Sequence, residues 1–334
     1  MAYEPPHPRD VFGLKGQEAA EAAFADAIER GRLHHAWLLT GPEGVGKATF
    51  AYRAARRLMG ARALGEGIGS DPKDPVSRQI SARSHPDLMV LERVGEDGKP
   101  RKVIPVEEAR RLPEFFAKAP ASAPYRVAII DAADDLNVNA ANALLKTLEE
   151  PQGRGVLFLI SHSPGKLLPT IRSRCRRLTM AAGSEGMAVE MLEQAGAAEG
   201  ENALRLARMA KGAPGMALQL AANGALAADD AAREILLSLP RADEAALLSL
   251  ADTFRGSEGM QRFRAVIERL AERIHIFTTR EAAEGRGLGL DGWATAWEKL
   301  TALPDRVEAV NLDRADAFFS AVRDLRSAAK IRAF

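Results

Sequence analysis

The residues with the clearest chemical potential lie in segment 41–48, which reads Gly-Pro-Glu-Gly-Val-Gly-Lys-Ala. Except at its last position, it matches the phosphate-binding pattern G-x-x-x-x-G-K-[ST]. In that pattern backbone N–H groups surround phosphate, the lysine meets the outer phosphates and the final hydroxyl holds Mg²⁺. Ala48 removes that hydroxyl, and Thr49 is rotated by about 100° around a helix axis, so it cannot simply replace it. The candidate nucleotide-binding residues of the loop are Gly41, Gly44, Gly46 and Lys47.

A second part of a nucleotide site is predicted at the end of a short apolar strand, residues 125–131. Asp131 stands where nucleotide-hydrolysing sheet proteins place the acid that organises Mg²⁺. Many such proteins follow it with a Glu that orients the attacking water, but this chain has Ala132, and Asp134 is a poor substitute. Because the metal hydroxyl and the base are both missing, we expect a degenerate site without ATPase activity of its own. Whether the loop binds nucleotide stays open.

Four arginines fall within six positions in residues 172–177. They are typical of a solvated basic edge or of a patch that contacts phosphate. A permanently charged, planar guanidinium can also stabilise charge on a transferring phosphoryl group, and it can be supplied to a neighbouring subunit's site. Such a group is worth about 10³- to 10⁵-fold in rate. The residues by themselves leave these alternatives open.

The elements that must position these residues alternate between strands and helices. A strand at residues 36–40 precedes the loop and an Ala-rich helix at 48–58 follows it. This alternation favours a parallel sheet covered by helices on both faces. From about residue 180 onward only helices are predicted, with apolar stripes that are typical of a bundle core. The other predicted strands are 87–91 and 156–160, the other early helices are 15–30, 106–116 and 139–149 (stopped by Pro151), and the later helices lie within 185–222 and 263–325.

Composition limits the possible classes of protein. A chain of 334 residues suggests two or three domains, and a net charge of +1 gives no global attraction to nucleic acid or membrane. The single cysteine, Cys175, excludes an internal disulfide framework and a cysteine-based zinc site. No apolar run approaches the ~20 residues that span a bilayer, and residues 1–10 lack the apolar segment of a secretory signal. We therefore expect a cytoplasmic protein with no membrane partner and no metal site.

Four stretches carry a resemblance to a known family. They are His-Ala-Trp-Leu-Leu at 35–39, His-Pro-Asp-Leu at 85–88, Asn-Ala-Leu-Leu-Lys-Thr-Leu-Glu-Glu-Pro at 142–151, and Ile-Arg-Ser-Arg-Cys at 171–175. Over about the first 180 residues the chain resembles the AAA+ subunits of bacterial clamp loaders, and among them the delta-prime subunits of DNA polymerase III. The resemblance implies an α/β fold: an AAA+ P-loop domain with a parallel sheet at residues 1–180, a small helical lid at 181–228 and an all-α collar or oligomerisation domain at 229–334.

The resemblance also implies a function. Delta-prime subunits sit with motor subunits (gamma/tau) and a delta subunit in a pentameric ring that opens the sliding clamp and places it on primer-template DNA. By similarity, Arg174 is an arginine finger that enters the ATP site of an adjacent motor subunit, and Ser173 and Cys175 are its motif neighbours. The chain itself would be a stator that does not hydrolyse ATP. It would require no cofactor, although weak or structural binding of ATP or ADP is compatible with the loop.

Two further features differ from parts of the wider family, and the first of them argues against a motor subunit. Motor subunits tend to carry an arginine in the lid, where this chain has Gly-Ala-Pro-Gly at 212–215. Many relatives carry a four-cysteine zinc module before the His-Pro-Asp stretch, but residues 76–84 contain no cysteine, so we expect no zinc and an unstapled excursion at 60–84. The alternatives are an autonomous AAA+ ATPase, or motor subunit, supported by Lys47 and Asp131, and a DNA-binding protein that uses the arginines of 172–177.

Overall fold

The computed structural model describes residues 3–65, 67–93, 101, 103–150, 153–239, 241 and 243–334. The chain forms two compact units. One comprises residues 4–194 and 207–217, and the other comprises 195–206 and 218–334 together with Tyr3. The finer division into three domains at residues 180 and 228 stays a prediction.

The first unit is built on a parallel sheet. Its strands in the described residues are β1 (Ala36–Thr40), β2 (Leu88–Glu92), β3 (Arg126–Asp131), β4 (Gly155–Ser161) and β5 (Arg176–Thr179). They lie in the order β2-β3-β4-β1-β5, and each neighbouring pair is parallel. The helices of this part of the chain are α1 (Glu18–Glu29), α2 (Lys47–Leu58), α3 (Pro75–Ser81), α4 (Val106–Arg110), α5 (Leu112–Ala117), α6 (Val138–Glu149), α7 (Pro169–Arg174) and α8 (Glu185–Gln194).

Both faces of the sheet are covered, because alternate side chains of each strand point to opposite sides. Trp37 of β1 packs in one buried cluster with Phe24 of α1 and Phe50 of α2. Leu38, the next residue, packs in the other cluster with Leu144 of α6. The predicted parallel sheet between two helical layers is confirmed.

Several helices and strands of the first unit differ locally from what the sequence predicts. A single helix was predicted over 106–116, but the structure has α4 and α5, because Pro113 in the first turn of α5 has no N–H with which to continue the α4 ladder. Strand β5 was not predicted at all. Helix α6 ends at Glu149, whereas Pro151, which was predicted to stop it, lies outside the described residues, as does most of the turn expected at 93–102.

The segment that lacks cysteines has a defined backbone in its described residues. Ala63 and Ser70 form a β-bridge, and α3 follows, where an irregular excursion was expected. Asp74 caps α3 by accepting from the Val76 N–H at 2.9 Å, and it also accepts from the Arg62 N–H at 3.1 Å. Carboxylates therefore order this segment. Among the described residues no group of three or more His, Cys, Asp or Glu side chains is arranged to hold a metal ion.

The second unit is helical. Its main helices in the described residues are α11 (Ala225–Ser238), α12 (Glu244–Asp252), α13 (Gly259–Ala283), α14 (Asp291–Val310) and α15 (Arg314–Ile331), while α9 (Gly200–Met209) and α10 (Pro214–Ala222) have residues in both units. Phe263, Trp293 and Phe318 from the predicted stripes are fully buried in one cluster. Asp229 of α11 accepts from Arg273 of α13 at 2.7 Å. Within the described part of the chain, no helix combines the length and apolarity that crossing a bilayer would need.

We expect Asp74→Ala to lower the free energy of unfolding by about 1 kcal/mol, because it removes the N-cap of α3. Amide exchange in residues 75–81 should accelerate as well. Urea denaturation combined with hydrogen exchange measures both quantities. Lys73→Ala, an exposed change next to the cap, is the control; equal effects of the two variants would show that Asp74 does not order this segment.

Candidate functional site

The loop between β1 and α2 has the backbone form that its glycines predict. Gly41 has φ of 145° and Gly44 has φ of 75°, in the region that favours glycine. A Cβ at Gly41 would lie 2.0 Å from the Met180 carbonyl oxygen, and one at Gly44 would lie 2.2 Å from the Met216 backbone nitrogen. Gly46 immediately precedes α2, as its N-cap. The loop therefore keeps the glycine-dependent curvature that surrounds a phosphate.

Lys47, the first residue of α2, is only 3% exposed. Its Nζ donates to the carbonyl oxygens of Gly41 at 2.7 Å and Pro42 at 2.5 Å. Burial lowers its pKa to about 8, and the negative charge of Asp131 opposes this shift. The ammonium is thus bound by the carbonyls of its own loop, and it would have to exchange those contacts to meet a phosphate.

Asp131 ends β3, opposite Glu92 in the register of β2 and β3. Burial, followed by the negative charge of Glu92, raises the pKa of the Asp131 carboxyl to about 6, while the charge of Lys47 acts in the opposite direction. The charges of Lys47 and Asp131 therefore influence each other, while their assignment to one nucleotide site stays a prediction. Ala132, at the position of the missing base, is buried.

Asp134 is committed elsewhere. Its carboxylate accepts from the Ser161 hydroxyl at 2.9 Å and from the His162 and Ser163 backbone N–H groups at 2.6 and 3.3 Å. These three bonds fix the end of β4. All three contacts are with residues 161–163, so this carboxylate is engaged at the end of β4.

One contact was not predicted from the sequence. The Gly215 N–H at the start of α10 donates to the Gly44 carbonyl oxygen at 2.8 Å. A Cβ at Gly215 would lie 2.8 Å from the same oxygen. The glycine at this position thus lets α10 rest directly on the phosphate loop. The pattern Gly-Ala-Pro-Gly at 212–215 indicates a turn and the start of a helix, but it does not indicate that Gly44 is the residue contacted.

The arginine motif lies where α7 ends and β5 begins. The Ser173 hydroxyl donates to the Thr170 carbonyl oxygen at 3.1 Å. Arg174 is the last residue of α7 and its side chain is 35% exposed. Cys175 packs against the core under α6, and burial raises the pKa of its thiol to about 12. The cysteine is therefore a packing anchor, and the arginine beside it is accessible.

Arg174 lies at the N-terminal ends of the parallel strands, and the loop lies at their C-terminal ends. Strand β5 runs parallel to β1, with Arg176 opposite Trp37 and Thr179 opposite Thr40. These three steps span about 10 Å at about 3.3 Å per residue. The loop follows Thr40, whereas Arg174 precedes β5. The structure thus brings the loop glycines, Lys47 and Asp131 together, and it does not bring Arg174 to them.

These features define the class of protein. A glycine loop between β1 and α2, an acid at the end of β3 and a parallel sheet followed by helices make an AAA+ type P-loop protein. A family model described as DNA polymerase III, delta subunit, matches residues 16–183, which is half of the 334 residues. The chain therefore belongs to this family of DNA polymerase III subunits.

Individual relatives agree with the family. The chain is 37% identical over 205 residues to DNA polymerase III subunit delta' of Pseudomonas aeruginosa, with 61% of each chain covered. It is 35% identical over 155 residues to subunit delta' of Bacillus subtilis, with 46% of this chain and 44% of the relative covered. The match therefore spans less than two thirds of these relatives' own lengths. The resemblance to the delta-prime subunits of the clamp loader is confirmed.

Two further comparisons cover more of this chain. It is 29% identical over 285 residues to DNA polymerase III subunit tau of Escherichia coli, with 83% of this chain and 41% of the relative covered. A solved structure of a DNA polymerase III gamma subunit-related protein from Thermotoga maritima covers 94% of this chain and 99% of its own, at 17% identity and a TM-score of 0.48.

The carboxyl of Asp131 should titrate with a pKa of about 6 in a ¹³C NMR experiment. Lys47→Met should raise this pKa further, because it removes the opposing positive charge, and Glu92→Gln should lower it. Since the native carboxyl keeps its proton to a higher pH than the unfolded chain does, the free energy of unfolding should fall as pH rises from about 4 to about 6. Shifts of the same sign in both variants would contradict the assigned causes.

Proposed function

We propose that the chain is the non-hydrolysing delta-prime subunit of a clamp loader and that it lends Arg174 to the ATP site of a neighbouring ATPase subunit. The observation that supports this most directly is the position of Arg174. Its side chain is accessible on the surface of the unit. It lies at the N-terminal ends of the strands, whereas the chain's own loop lies at their C-terminal ends. A guanidinium in this position is better placed for a phosphate on another molecule than for one in the chain's own loop.

The loop supports the silent half of the proposal. Ala48 supplies no metal ligand and Ala132 supplies no base, and Asp134 is held by the end of β4. Gly215 stands in the lid stretch where motor subunits tend to carry an arginine, and its backbone is bound to Gly44. Three positions that serve hydrolysis in a working motor thus lack the side chain they would need, and Asp134, the candidate substitute for the base, is engaged elsewhere.

The loop fits a phosphate group better than it fits a metal-bound triphosphate. Its curved backbone and the Lys47 amine are kept, and these are the groups that bind phosphate. Of the Mg²⁺-binding set, Asp131 remains. The chain therefore needs no cofactor, and ATP or ADP binds weakly or in a structural role.

The partners follow from the relatives. Proteins named gamma/tau, gamma and tau of DNA polymerase III are among the matches. The proposed assembly is a pentameric ring of this chain, gamma/tau motor subunits and a delta subunit, which loads the sliding clamp onto primer-template DNA during replication. The chain would act in the cytoplasm.

Contacts within the chain argue against the hypothesis that the arginines of 172–177 form a nucleic-acid-binding patch. Arg177 Nε donates to the Thr40 hydroxyl at 3.1 Å. The Arg176 guanidinium lies 4.9 Å from the centre of the Trp37 ring. Two of the four arginines are thus used to hold β5 on β1, which leaves fewer charges for an independent DNA site.

In a reconstituted ring with active motor subunits, Arg174→Ala should lower the DNA- and clamp-stimulated ATP turnover at least tenfold, a threshold set well below the roughly 10³- to 10⁵-fold that an arginine finger can contribute. Arg174→Lys should recover only part of this rate, because it keeps the charge but loses the planar fork. The matched control is Arg172→Ala, an exposed arginine in the same helix. Unchanged turnover with Arg174→Ala would defeat the finger assignment.

The purified chain should release no phosphate from ATP beyond its Lys47→Ala variant, and calorimetry should show weaker Mg-ATP binding than a motor subunit shows. The physical reason is that the metal hydroxyl and the base are missing. A colorimetric phosphate assay decides the first point. Turnover at a motor's rate that Lys47→Ala abolishes would instead support the alternative, an autonomous AAA+ ATPase.

A further inference from the structure

Arg174 is held at both ends of its guanidinium. Nη1 donates to the Thr170 carbonyl oxygen of its own helix at 3.0 Å. Nη2 lies 2.8 Å from Oε1 of Glu149, the last residue of α6. Two different helices thus fix the orientation of one side chain.

We propose that Glu149 is a positioning residue for Arg174. Its carboxylate orients the Arg174 guanidinium toward the phosphates bound by the neighbouring subunit. This inference rests on the proposed finger function. An arginine has five N–H donors in a rigid fork, and the two contacts use two of them. The remaining donors are left for a phosphate. Because an arginine side chain loses much rotamer freedom when it is ordered, fixing it before the ring assembles removes that cost from the catalytic contact.

The location of Glu149 argues against a role in the stability of α6. An acidic side chain at the C-terminal end of a helix is unfavourable, because the macrodipole is negative there. The carboxylate is also 49% exposed, and exposed ion pairs contribute little to stability. Arg174, a cation at the end of α7, is well placed by the same rule. The pair is therefore better explained by its effect on the arginine than by its effect on the fold.

The neighbouring Glu150 provides a matched control. It carries the same charge and is exposed at the same helix end, and the structure records no ion pair between it and the other described residues. A general effect of negative charge at this edge would appear in Glu149→Ala and Glu150→Ala alike. An effect through Arg174 would appear only in Glu149→Ala.

The test is a double-mutant cycle in the reconstituted ring, with kcat and KM for ATP measured for each variant. We expect Glu149→Ala to lower kcat about two- to fivefold, the range that an exposed ion pair provides, with KM for ATP unchanged. Glu149→Gln, which keeps an acceptor oxygen, should fall between wild type and Glu149→Ala. Adding Glu149→Ala to Arg174→Ala should cause no further loss, and Glu150→Ala should match wild type.

Thermal unfolding of the purified Glu149→Ala chain should match wild type, which excludes a folding defect as the cause. A Glu149→Ala rate equal to wild type, or the same loss with and without Arg174, would overturn the positioning role while leaving the finger in place. An Arg174→Ala rate equal to wild type would instead overturn the proposed function itself. The two failures are therefore distinguishable.

Discussion

The parallel pairing of β5 with β1 is the constraint on which the rest of the site depends. Because the two strands run in the same direction, the segment that follows β1 and the segment that precedes β5 must lie at opposite ends of the strands. The phosphate loop follows β1, and Arg174 precedes β5. The backbone hydrogen bonds between the two strands set the separation of these two backbone segments. This placement supports the proposed role of Arg174 in the site of a neighbouring subunit.

The contacts around the loop are mutually consistent. A buried ammonium needs compensation, and the carbonyls of Gly41 and Pro42 supply it for Lys47. Asp134 holds the end of β4, and the Gly215 N–H binds the Gly44 carbonyl oxygen. Each group satisfies a structural requirement within the unit. These contacts tie the loop region to its surroundings within the unit, which supports the proposed non-hydrolysing role.

The sequence predicts what depends on local pattern and misses what depends on distant contact. Strand β1 was predictable because four of its five residues, Ala-Trp-Leu-Leu at 36–39, form one apolar run. Strand β5 was not, since only one of its four residues, Leu178, is apolar and two are arginines. The break at Pro113 follows from a local rule that could have been applied. The pair of Glu149 and Arg174 joins residues 25 positions apart, and no helix or strand period relates them.

The Ser-Arg-Cys motif combines these local and distant contacts in three consecutive residues. Cys175 has extended backbone dihedrals, φ of −109° and ψ of 140°, so α7 must end at Arg174. Its side chain packs into the core while the next residue enters β5. Arg174 is thus attached to the sheet on one side and to α6 on the other, through Glu149. Catalytic groups work best when rigid elements hold them in place, and these contacts therefore support the proposed role of Arg174 as an arginine finger.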